Sequence, residues 1–332
     1  MIERHWYRSS HNFLTASLLP LSWLFRSVVA FRRTLYQKKI KKTFHFPVPV
    51  IIVGNITVGG TGKTPFVIWL AKLLQEKGFK PGIVSRGVGG EPSVAPRWVY
   101  SHSDPKIMGD EAVLLAGRSQ CPVVIGVNRV AAVTELLAQQ DCNIILSDDG
   151  LQHYRLGRDI EIALIDGARG LGNKNFLPAG PLRESPARLQ EVDFVVEQTA
   201  QHQKNSADFF AMQLVGETLI SMTDAQNKIL LSDLKNKTVH AVAAIGHPQR
   251  FFGLLKQFGL NIIEHVFPDH YLYQANDLHF DDTLPIIMTE KDAVKCQSFA
   301  DERYWFLPVE MQIDQDFSAA FFKRLQEIIN KK

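Results

Sequence analysis

The 332-residue sequence has few cysteines and no long apolar run. Its three cysteines, Cys121, Cys142 and Cys296, are far apart and none belongs to a C-x-x-C pair. This scarcity argues against a disulfide framework and a cysteine zinc site, and it favours a reducing compartment. Internal repeats and low-complexity tracts are absent as well. The ordinary content of hydrophobic (45%) and charged (21%) residues indicates a globular protein, whose length favours two domains.

The N-terminal apolar segment is too short to cross a membrane. Residues 13–25 run thirteen positions before Arg26, whereas a spanning helix needs about 20 apolar residues. No A-x-A-like cleavage site follows, which argues against a signal peptide. Pro20 instead predicts the first turn of a helix that continues to about Tyr36, with Arg26 and Arg33 away from its apolar face. The apolar face comprises Leu21, Leu24, Phe25, Val28, Phe31 and Leu35.

Positive charge is concentrated in the same segment. Residues 1–43 carry nine Lys/Arg against one Glu, a net +8, while the remainder has 28 Lys/Arg against 33 Asp/Glu, a net −5. A basic helix with a Leu/Phe/Trp face predicts binding in the membrane interface. Each nearby cation adds about 1 kcal/mol on an anionic leaflet. The alternative is a helix packed on the protein's own body. We expect no nucleic-acid partner, and nothing implies a protein partner.

The strongest functional signal is a glycine-rich stretch between a strand and a helix. Apolar residues 48–53 predict the strand, and the helical spacing of apolar residues over 66–74 predicts the helix. In such a loop, backbone N–H groups face phosphates, the lysine reaches the outer phosphates and the threonine hydroxyl binds Mg²⁺. The motif is a variant, because Thr57 stands where a strict G-x-x-x-x-G-K-[ST] has glycine. We predict nucleotide contacts at Thr57, Val58, Gly59, Gly60, Thr61, Gly62, Lys63 and Thr64. The alternative is a tight turn with a surface lysine.

Strands and helices alternate along the rest of the first half. This pattern predicts an α/β fold: a mostly parallel P-loop-type sheet with helices on both faces and ligands at the carboxyl ends of its strands. The predicted strands are residues 81–85, 122–125, 143–146, 160–165 and 192–196, and the predicted helices are 109–117 and 128–139.

The second half predicts a smaller α/β domain reached through a β-hairpin, because residues 208–223 are extended without helices. Strands are expected at 239–245, 262–266 and 285–288, and helices at 247–258 and 317–330. The resulting division is a basic amphipathic helix (1–43), a P-loop domain (44–205), a hairpin linker (206–232) and a C-terminal domain (233–332).

Acidic residues at element ends are candidate metal ligands. Asp148 and Asp149 follow the predicted strand 143–146, where P-loop NTPases hold the Asp that fixes Mg²⁺; a solvated turn is the alternative. Gln152 and His153 follow and offer polar groups to orient these carboxylates, although an isolated histidine is more often structural.

Other polar residues give weaker signals. Asp110 and Glu111 open a helix, where the helix dipole alone favours carboxylates. For Arg183, in a Pro/Gly-rich loop, a phosphate contact and an ordinary loop arginine are equally plausible. His270 stands beside an aspartate after a strand, and residues 289–292 have the pattern of a capping box.

Taken together, these segments resemble the tetraacyldisaccharide 4′-kinase family of lipid A biosynthesis. The segments that carry the resemblance, in the family's order, are VGNITVGGTGKTP (53–65), SRG (85–87), GDEA (109–112), SDDGLQH (147–153), PAGPLRE (178–184), IGHPQRFF (245–252), FPDHY (267–271) and TEKDAVK (289–295). The resemblance implies ATP and Mg²⁺ as cofactors and a lipid-linked disaccharide 1-phosphate as substrate. Its 4′-hydroxyl would receive the γ-phosphoryl group at the cytoplasmic face of the bacterial inner membrane, giving the bis-phosphorylated lipid A precursor.

The resemblance also implies roles for single residues. Asp110, paired with His270, would accept the sugar hydroxyl proton, and Lys63 would hold the β- and γ-phosphates. The metal and phosphate region would comprise Thr64, Glu111, Asp148 and Asp149, supported by Gln152, His153 and Arg183.

Two other functions fit part of the pattern. A membrane-associated nucleotide-switch ATPase would use the loop and the basic helix, but it leaves the second domain unexplained. A kinase of a soluble sugar or nucleoside would use both domains, with the N-terminal helix packed on its own body.

Overall fold

The structure is a computed structural model that describes residues 3–7, 13–199 and 208–332. The helices are α1 (Glu3–Trp6), α2 (Phe13–Ser17), α3 (Leu19–Gln37), α4 (Lys63–Glu76), α5 (Pro105–Met108), α6 (Asp110–Ser119), α7 (Arg129–Gln139), α8 (Pro248–Gln257), α9 (Glu290–Cys296) and α10 (Gln315–Ile329). The strands are β1 (Val50–Gly54), β2 (Pro81–Ser85), β3 (Arg97–Val99), β4 (Val123–Ile125), β5 (Ile144–Asp148), β6 (Ile160–Asp166), β7 (Phe194–Gln198), β8 (Phe210–Val215), β9 (Thr218–Ser221), β10 (Lys228–Leu230), β11 (Thr238–Ala243), β12 (Asn261–Val266), β13 (Ile286–Thr289), β14 (Tyr304–Leu307) and β15 (Glu310–Ile313).

The larger sheet has the strand order β15-β8-β7-β6-β1-β5-β2-β4-β3. Strands β8 to β4 in this order are parallel, and the edge strands β15 and β3 are antiparallel to their neighbours. β1 is buried at every position because apolar side chains cover both faces of the sheet. Ile51 packs with α4 and α6, while Ile52 packs with α7 on the opposite face. The predicted P-loop-type α/β fold is confirmed.

The smaller sheet has the order β10-β9-β14-β13-β11-β12. Its four strands β14, β13, β11 and β12 are parallel, and a β9–β10 hairpin is added in antiparallel pairing at one edge. Helix α8 packs on one face through Phe251, Phe252 and Leu255, and α9 packs on the other through Ala293 and Cys296. The second α/β domain therefore has its own hydrophobic core, as the sequence predicted.

The connection between the sheets differs from the predicted hairpin. The chain leaves the larger sheet after β8, enters the smaller one at β9, and returns between β14 and β15. The two crossings run antiparallel, with Val215 opposite Glu310 and Ser221 opposite Trp305. The linker is therefore a two-stranded ribbon, and the β9–β10 hairpin belongs to the smaller sheet. The predicted boundary at residues 205/206 lies outside the described residues.

The end of the chain also differs from the predicted division, which placed residues 233–332 in the second domain. β15 and α10 belong to the larger sheet. The reason is aromatic packing: Phe317 of α10 is fully buried, with its ring centroid 5.8 Å from Phe66 and 5.4 Å from Phe194. The amphipathic pattern of α10 predicts a buried face but does not say which sheet it covers.

Helix α3 packs on the body and also exposes an apolar face. On the packed side, the Ser22 hydroxyl donates to the Phe176 carbonyl (2.7 Å), and Tyr36 contacts Tyr154. The exposed face comprises Leu21, Trp23, Leu24, Val28 and Phe31. Packing on the protein's own body is thus observed for one face of the helix, and binding of the other face in the membrane interface stays a prediction. Among the described residues, no helix combines the length and the apolar character that a membrane crossing requires.

Truncating Phe317 tests the assignment of α10 to the larger domain. Phe317→Ala removes a fully buried ring that packs against Phe66, Phe194 and Phe210. We expect the free energy of unfolding of this domain to fall by about 3–5 kcal/mol, measured by urea denaturation. The matched control is Phe31→Ala, whose ring is 66% exposed, so its truncation should cost little. Equal stability of the two variants would contradict the packing described.

Candidate active site

The phosphate loop joins β1 to α4, and its shape depends on Gly62 and on hydrogen bonds that brace it. Gly62, the residue before α4, has a left-handed backbone (φ +80°), and a side chain there would lie 2.8 Å from Met212 Cε. The loop is braced by the Asn55 amide, which donates to the Gly59 carbonyl (3.3 Å), and by the Val58 N–H, which donates to Pro181 (2.8 Å). No side chain caps the start of α4, so its first N–H groups remain available to an anion.

Asp149 holds two cations beside the loop. Its Oδ1 lies 2.8 Å from an Arg183 guanidinium nitrogen and 3.8 Å from Lys63 Nζ. The same Arg183 nitrogen donates to Asn55 Oδ1 (3.0 Å). Burial acts to raise the pKa of Asp149, but Lys63 and Arg183 outweigh it and bring the pKa to about 2. Asp149 is therefore ionised and orients Lys63 and Arg183 towards the cleft.

Asp148 has a different environment from its neighbour. It is buried at the end of β5, where Oδ2 accepts a hydrogen bond from the Ser85 hydroxyl (3.1 Å) and Oδ1 has no partner. Burial, together with the charges of Glu111 and Asp149, raises its pKa to about 7. An unpartnered carboxylate oxygen near other carboxylates is the environment that a divalent cation stabilises.

The donors near the loop fit Mg²⁺. Thr64 supplies a hydroxyl at the start of α4, and Asp148, Asp149 and Glu111 supply carboxylate oxygens, the ligand type that Mg²⁺ prefers. Within the described ranges, no three His, Cys, Asp or Glu side chains form a ready-made metal site. Mg²⁺ commonly takes only one or two protein carboxylates and completes its shell with water and phosphate oxygens.

Asp110 and His270 form a hydrogen-bonded pair across the two domains. Asp110 is the first residue of α6 and 3% exposed, and His270 lies on the loop after β12 with φ +60°. His270 Nδ1 is 2.9 Å from Asp110 Oδ1 and 3.1 Å from Oδ2. Burial favours a higher pKa for Asp110, but the His270 hydrogen bond and nearby lysines lower it overall; the same hydrogen bond raises the pKa of His270. Both shifts favour the charged forms of the pair.

A lysine of α9 joins the acidic groups of this region. Lys291 Nζ lies 2.9 Å from Glu111 Oε1, 3.3 Å from Asp269 Oδ1 and 3.9 Å from Asp110 Oδ2. Burial opposes its charge, but Glu111 and Asp110 outweigh burial, so the pKa of Lys291 is raised. The smaller domain therefore contributes His270 and Lys291, which contact the carboxylates at the start of α6.

Lys291 was not predicted as a site residue, because the pattern of residues 289–292 indicates a helix cap. That cap is present, since the Thr289 hydroxyl accepts a hydrogen bond from the Asp292 N–H (3.2 Å). The available signal was the spacing of Lys291 and Lys295, which puts both on one face of a helix that starts at a strand end.

A second set of contacts between the domains was also not predicted. Arg250 of α8 lies 2.8 Å from Asp166 and donates to the Gln198 side chain (2.6 Å), both at strand ends of the larger sheet. Arg169 donates to the Gly246 carbonyl (3.1 Å).

The two domains enclose one cleft of about 990 Å³. Of the predicted site residues, those that line it are Val58, Gly59, Gly60, Thr61, Gly62, Lys63, Thr64, Glu111, Asp149, Arg183 and His270.

Other predicted residues lie behind the cleft. Thr57 is buried and bridges to Leu182 through the backbone. Gln152 donates to the Asn55 carbonyl (3.0 Å) and to Glu184 (2.8 Å), so it supports the phosphate loop from below. Burial, and then surrounding arginines, lowers the pKa of His153 to about 4. Thr57, Gln152 and His153 are not among the residues that line the cleft, and neither are Asp110 and Asp148.

A phosphate loop facing carboxylates, with a histidine and a lysine supplied across a cleft, defines a nucleotide-dependent phosphotransferase. The family model described as Tetraacyldisaccharide-1-P 4′-kinase matches residues 14–326. The tetraacyldisaccharide 4′-kinase of Nitrosococcus oceani is 47% identical over 332 residues, 100% of this chain and 96% of that protein. That of Coxiella burnetii is 48% identical over 329 residues, 99% of this chain and 96% of that protein.

A solved structure agrees with these relatives. The crystal structure of "apo" form LpxK from Aquifex aeolicus in complex with ATP superposes with a TM-score of 0.78 at 29% identity, covering 94% of this chain and 100% of that one. The chain belongs to the tetraacyldisaccharide 4′-kinase family. The resemblance inferred from the ordered motifs is thereby confirmed.

His153 gives the structure a predictable response to acid. Its folded-state pKa of about 4 lies below the unfolded value of about 6.5, so the unfolded chain binds the proton first. The stability that neutral His153 contributes is present above pH 6.5 and is lost as pH falls towards 4. Urea denaturation at pH 7 and pH 5 should show a smaller loss of stability in His153→Gln than in wild type. The exposed-site control His102→Gln should behave as wild type; identical losses in all three proteins would refute the assignment.

Proposed function

We infer that this chain is an ATP-dependent kinase of lipid A biosynthesis. It transfers the γ-phosphoryl group of ATP to the 4′-hydroxyl of a tetraacylated glucosamine disaccharide 1-phosphate and gives the bis-phosphorylated product. The observation that carries this proposal is the Asp110–His270 contact, which places a cross-domain carboxylate–imidazole pair beside the phosphate-loop cleft. Membership of the family over nearly the whole chain supports the substrate.

The loop side of the cleft binds the nucleotide. Residues 58–64 surround the phosphates with backbone N–H groups, and Lys63 holds the β- and γ-phosphates. Arg183, kept beside Lys63 by Asp149, contributes a second cation. Mg²⁺, when bound, neutralises charge on the phosphate oxygens. The residues that would hold it are Thr64, Asp148 and Glu111, with Asp149 shaping the same region.

The opposite side of the cleft prepares the acceptor. Asp110 accepts the proton of the sugar hydroxyl, and His270 orients the carboxylate through its Nδ1 hydrogen bond. Phosphoryl transfer has a loose transition state, so positioning and charge neutralisation contribute most of the acceleration. Because the hydroxyl proton leaves late in such a reaction, a carboxylate of low pKa is a sufficient base.

Helix α3 places the enzyme at its lipid substrate. Its exposed apolar face and basic flank suit a helix lying in the interface of the bacterial inner membrane, on the cytoplasmic side. The packed face of α3 ties this helix to the turn at Tyr154 and to Phe176. That turn follows Gln152, which supports the phosphate loop. We therefore expect membrane binding of α3 to hold the phosphate-loop domain at the lipid surface.

Phosphate transfer from labelled ATP tests the function. Wild type should yield labelled product that extracts with lipid from a mixture containing the tetraacylated disaccharide 1-phosphate. Asp110→Asn should lower turnover by about 10²–10⁴-fold, because the base is lost, while calorimetry shows unchanged ATP affinity. The control Asp141→Asn removes an exposed aspartate that pairs with Lys80 and should retain activity.

The outcomes separate the alternatives. Release of free phosphate alone would indicate a nucleotide switch, and a water-phase product would indicate a soluble-substrate kinase. Wild-type turnover in Asp110→Asn would exclude Asp110 as the base.

Vesicle binding tests the role of α3. The double variant Leu24→Glu/Phe31→Glu places two charges on side chains that are 62% and 66% exposed. It should lose most of its cosedimentation with phosphatidylglycerol vesicles, because charged groups do not enter the interface's apolar region. Leu230→Glu, at an exposed leucine of the smaller domain, is the control and should sediment as wild type. Equal sedimentation of all three proteins would leave α3 with its packed role alone.

A further inference from the structure

A second lysine of α9 lies buried behind the Asp110–His270 pair. The side chain of Lys295 is 1% exposed, and its Nζ lies 2.7 Å from Asp292 Oδ1 and 3.7 Å from Asp110 Oδ2. The Tyr273 ring, 5.1 Å from Nζ, covers the ammonium group. Nζ makes no aligned hydrogen bond with any of these neighbours. Burying an ammonium group whose N–H donors are unused costs folding free energy. The presence of such a group here therefore indicates a role other than stability.

Asp292 is held rigidly within the smaller domain. It is fully buried, and its Oδ2 accepts hydrogen bonds from the Ala244 N–H (3.0 Å) and the Thr289 hydroxyl (2.6 Å). These donors follow β11 and end β13, two central strands of the smaller sheet. Its Oδ1 therefore faces Lys295 from a fixed position, and the ammonium group is anchored to the frame of that domain.

Asp110 belongs to the larger domain, so Lys295 stands between carboxylates of the two domains. Asp110 Oδ1 makes the shorter contact with His270, whereas Oδ2 is the oxygen nearer to both lysines of α9. In a site closed to water, the attraction between charges 3.7 Å apart is much stronger than in bulk solvent. His270 Nδ1 also lies 3.1 Å from Oδ2, so the imidazole contacts both oxygens of this carboxylate, while the two lysines add positive charge on the Oδ2 side.

We propose that Lys295, anchored by Asp292, is a positioning residue that holds Asp110 Oδ2 so that Oδ1 remains aligned with His270. This inference rests on the proposed role of Asp110 as the base. Lys295 is not among the residues that line the cleft, so we expect it to act through Asp110, its contact in the larger domain. The arrangement also makes the alignment of Asp110 depend on the approach of the smaller domain, because α9 carries the lysine.

Kinetics of neutral variants test this role. Lys295→Met should lower kcat by about 10- to 100-fold, the loss typical when a partner that orients a site residue is removed, with KM for ATP unchanged. This variant leaves Asp292 buried without its counter-ion and should also melt earlier. The double variant Asp292→Asn/Lys295→Met removes both charges, a replacement that buried pairs often tolerate. It should recover thermal stability while kcat stays low.

The control and the opposing outcomes are distinct. Lys256→Met, which breaks an exposed ion pair with Glu264 on the same domain, should keep full kcat. Recovery of kcat together with stability in the double variant, or wild-type kcat in Lys295→Met, would overturn the positioning role. Failure of the kinase function itself would appear elsewhere, as absent lipid phosphorylation in wild type or full turnover in Asp110→Asn.

Discussion

Charge compensation at the carboxyl ends of the larger sheet is the constraint on which the site depends. Asp110, Glu111, Asp148 and Asp149 converge there, and buried carboxylates must be paired. Asp149 receives Lys63 and Arg183 from its own domain, whereas Asp110 and Glu111 receive His270 and Lys291 from the other. The buried Oδ1 of Asp148 has no hydrogen-bond partner, which suits it to a metal ion. The proposed phosphate, metal and acceptor roles are thereby assigned to carboxylates with different partners.

The topology makes this compensation possible. The chain crosses between the sheets twice, through β8–β9 and β14–β15, and the crossings run antiparallel. Two connections allow fewer relative movements of the domains than a single flexible linker. The remaining movement is bending of the domains towards or away from each other. Because α10 returns to the larger domain and packs through Phe317 and Phe321, both ends of the ribbon are tied to hydrophobic cores. The cations of α9 and of the loop after β12 are thus carried by a domain that is joined to the larger one at two points.

Much of this could be predicted from local patterns. The helical spacing of residues 66–74, the strand before Gly54 and the order Gly62-Lys63-Thr64 located the phosphate loop, because these signals lie within one strand–loop–helix unit. The α/β alternation predicted both sheets for the same reason. The two-stranded ribbon and the sheet on which α10 packs could not be predicted. An extended run or an amphipathic helix specifies a buried face but not the surface that covers it. Lys291 was missed because its partners in the larger domain are distant in sequence, Glu111 by 180 positions.

The sequence by itself determined the chemistry available: a phosphate-binding loop, carboxylates at strand ends, a basic apolar leader and ordered motifs that identify the family. Those properties follow from residue type and short-range spacing. Only the tertiary structure decided which groups meet. It buried Asp148 more deeply than Asp149. It also brought Asp110 into contact with His270, 160 positions away, and placed Lys295 between carboxylates of the two domains. The reason is that electrostatic partnership depends on distance and solvent exclusion, and both are properties of the folded chain.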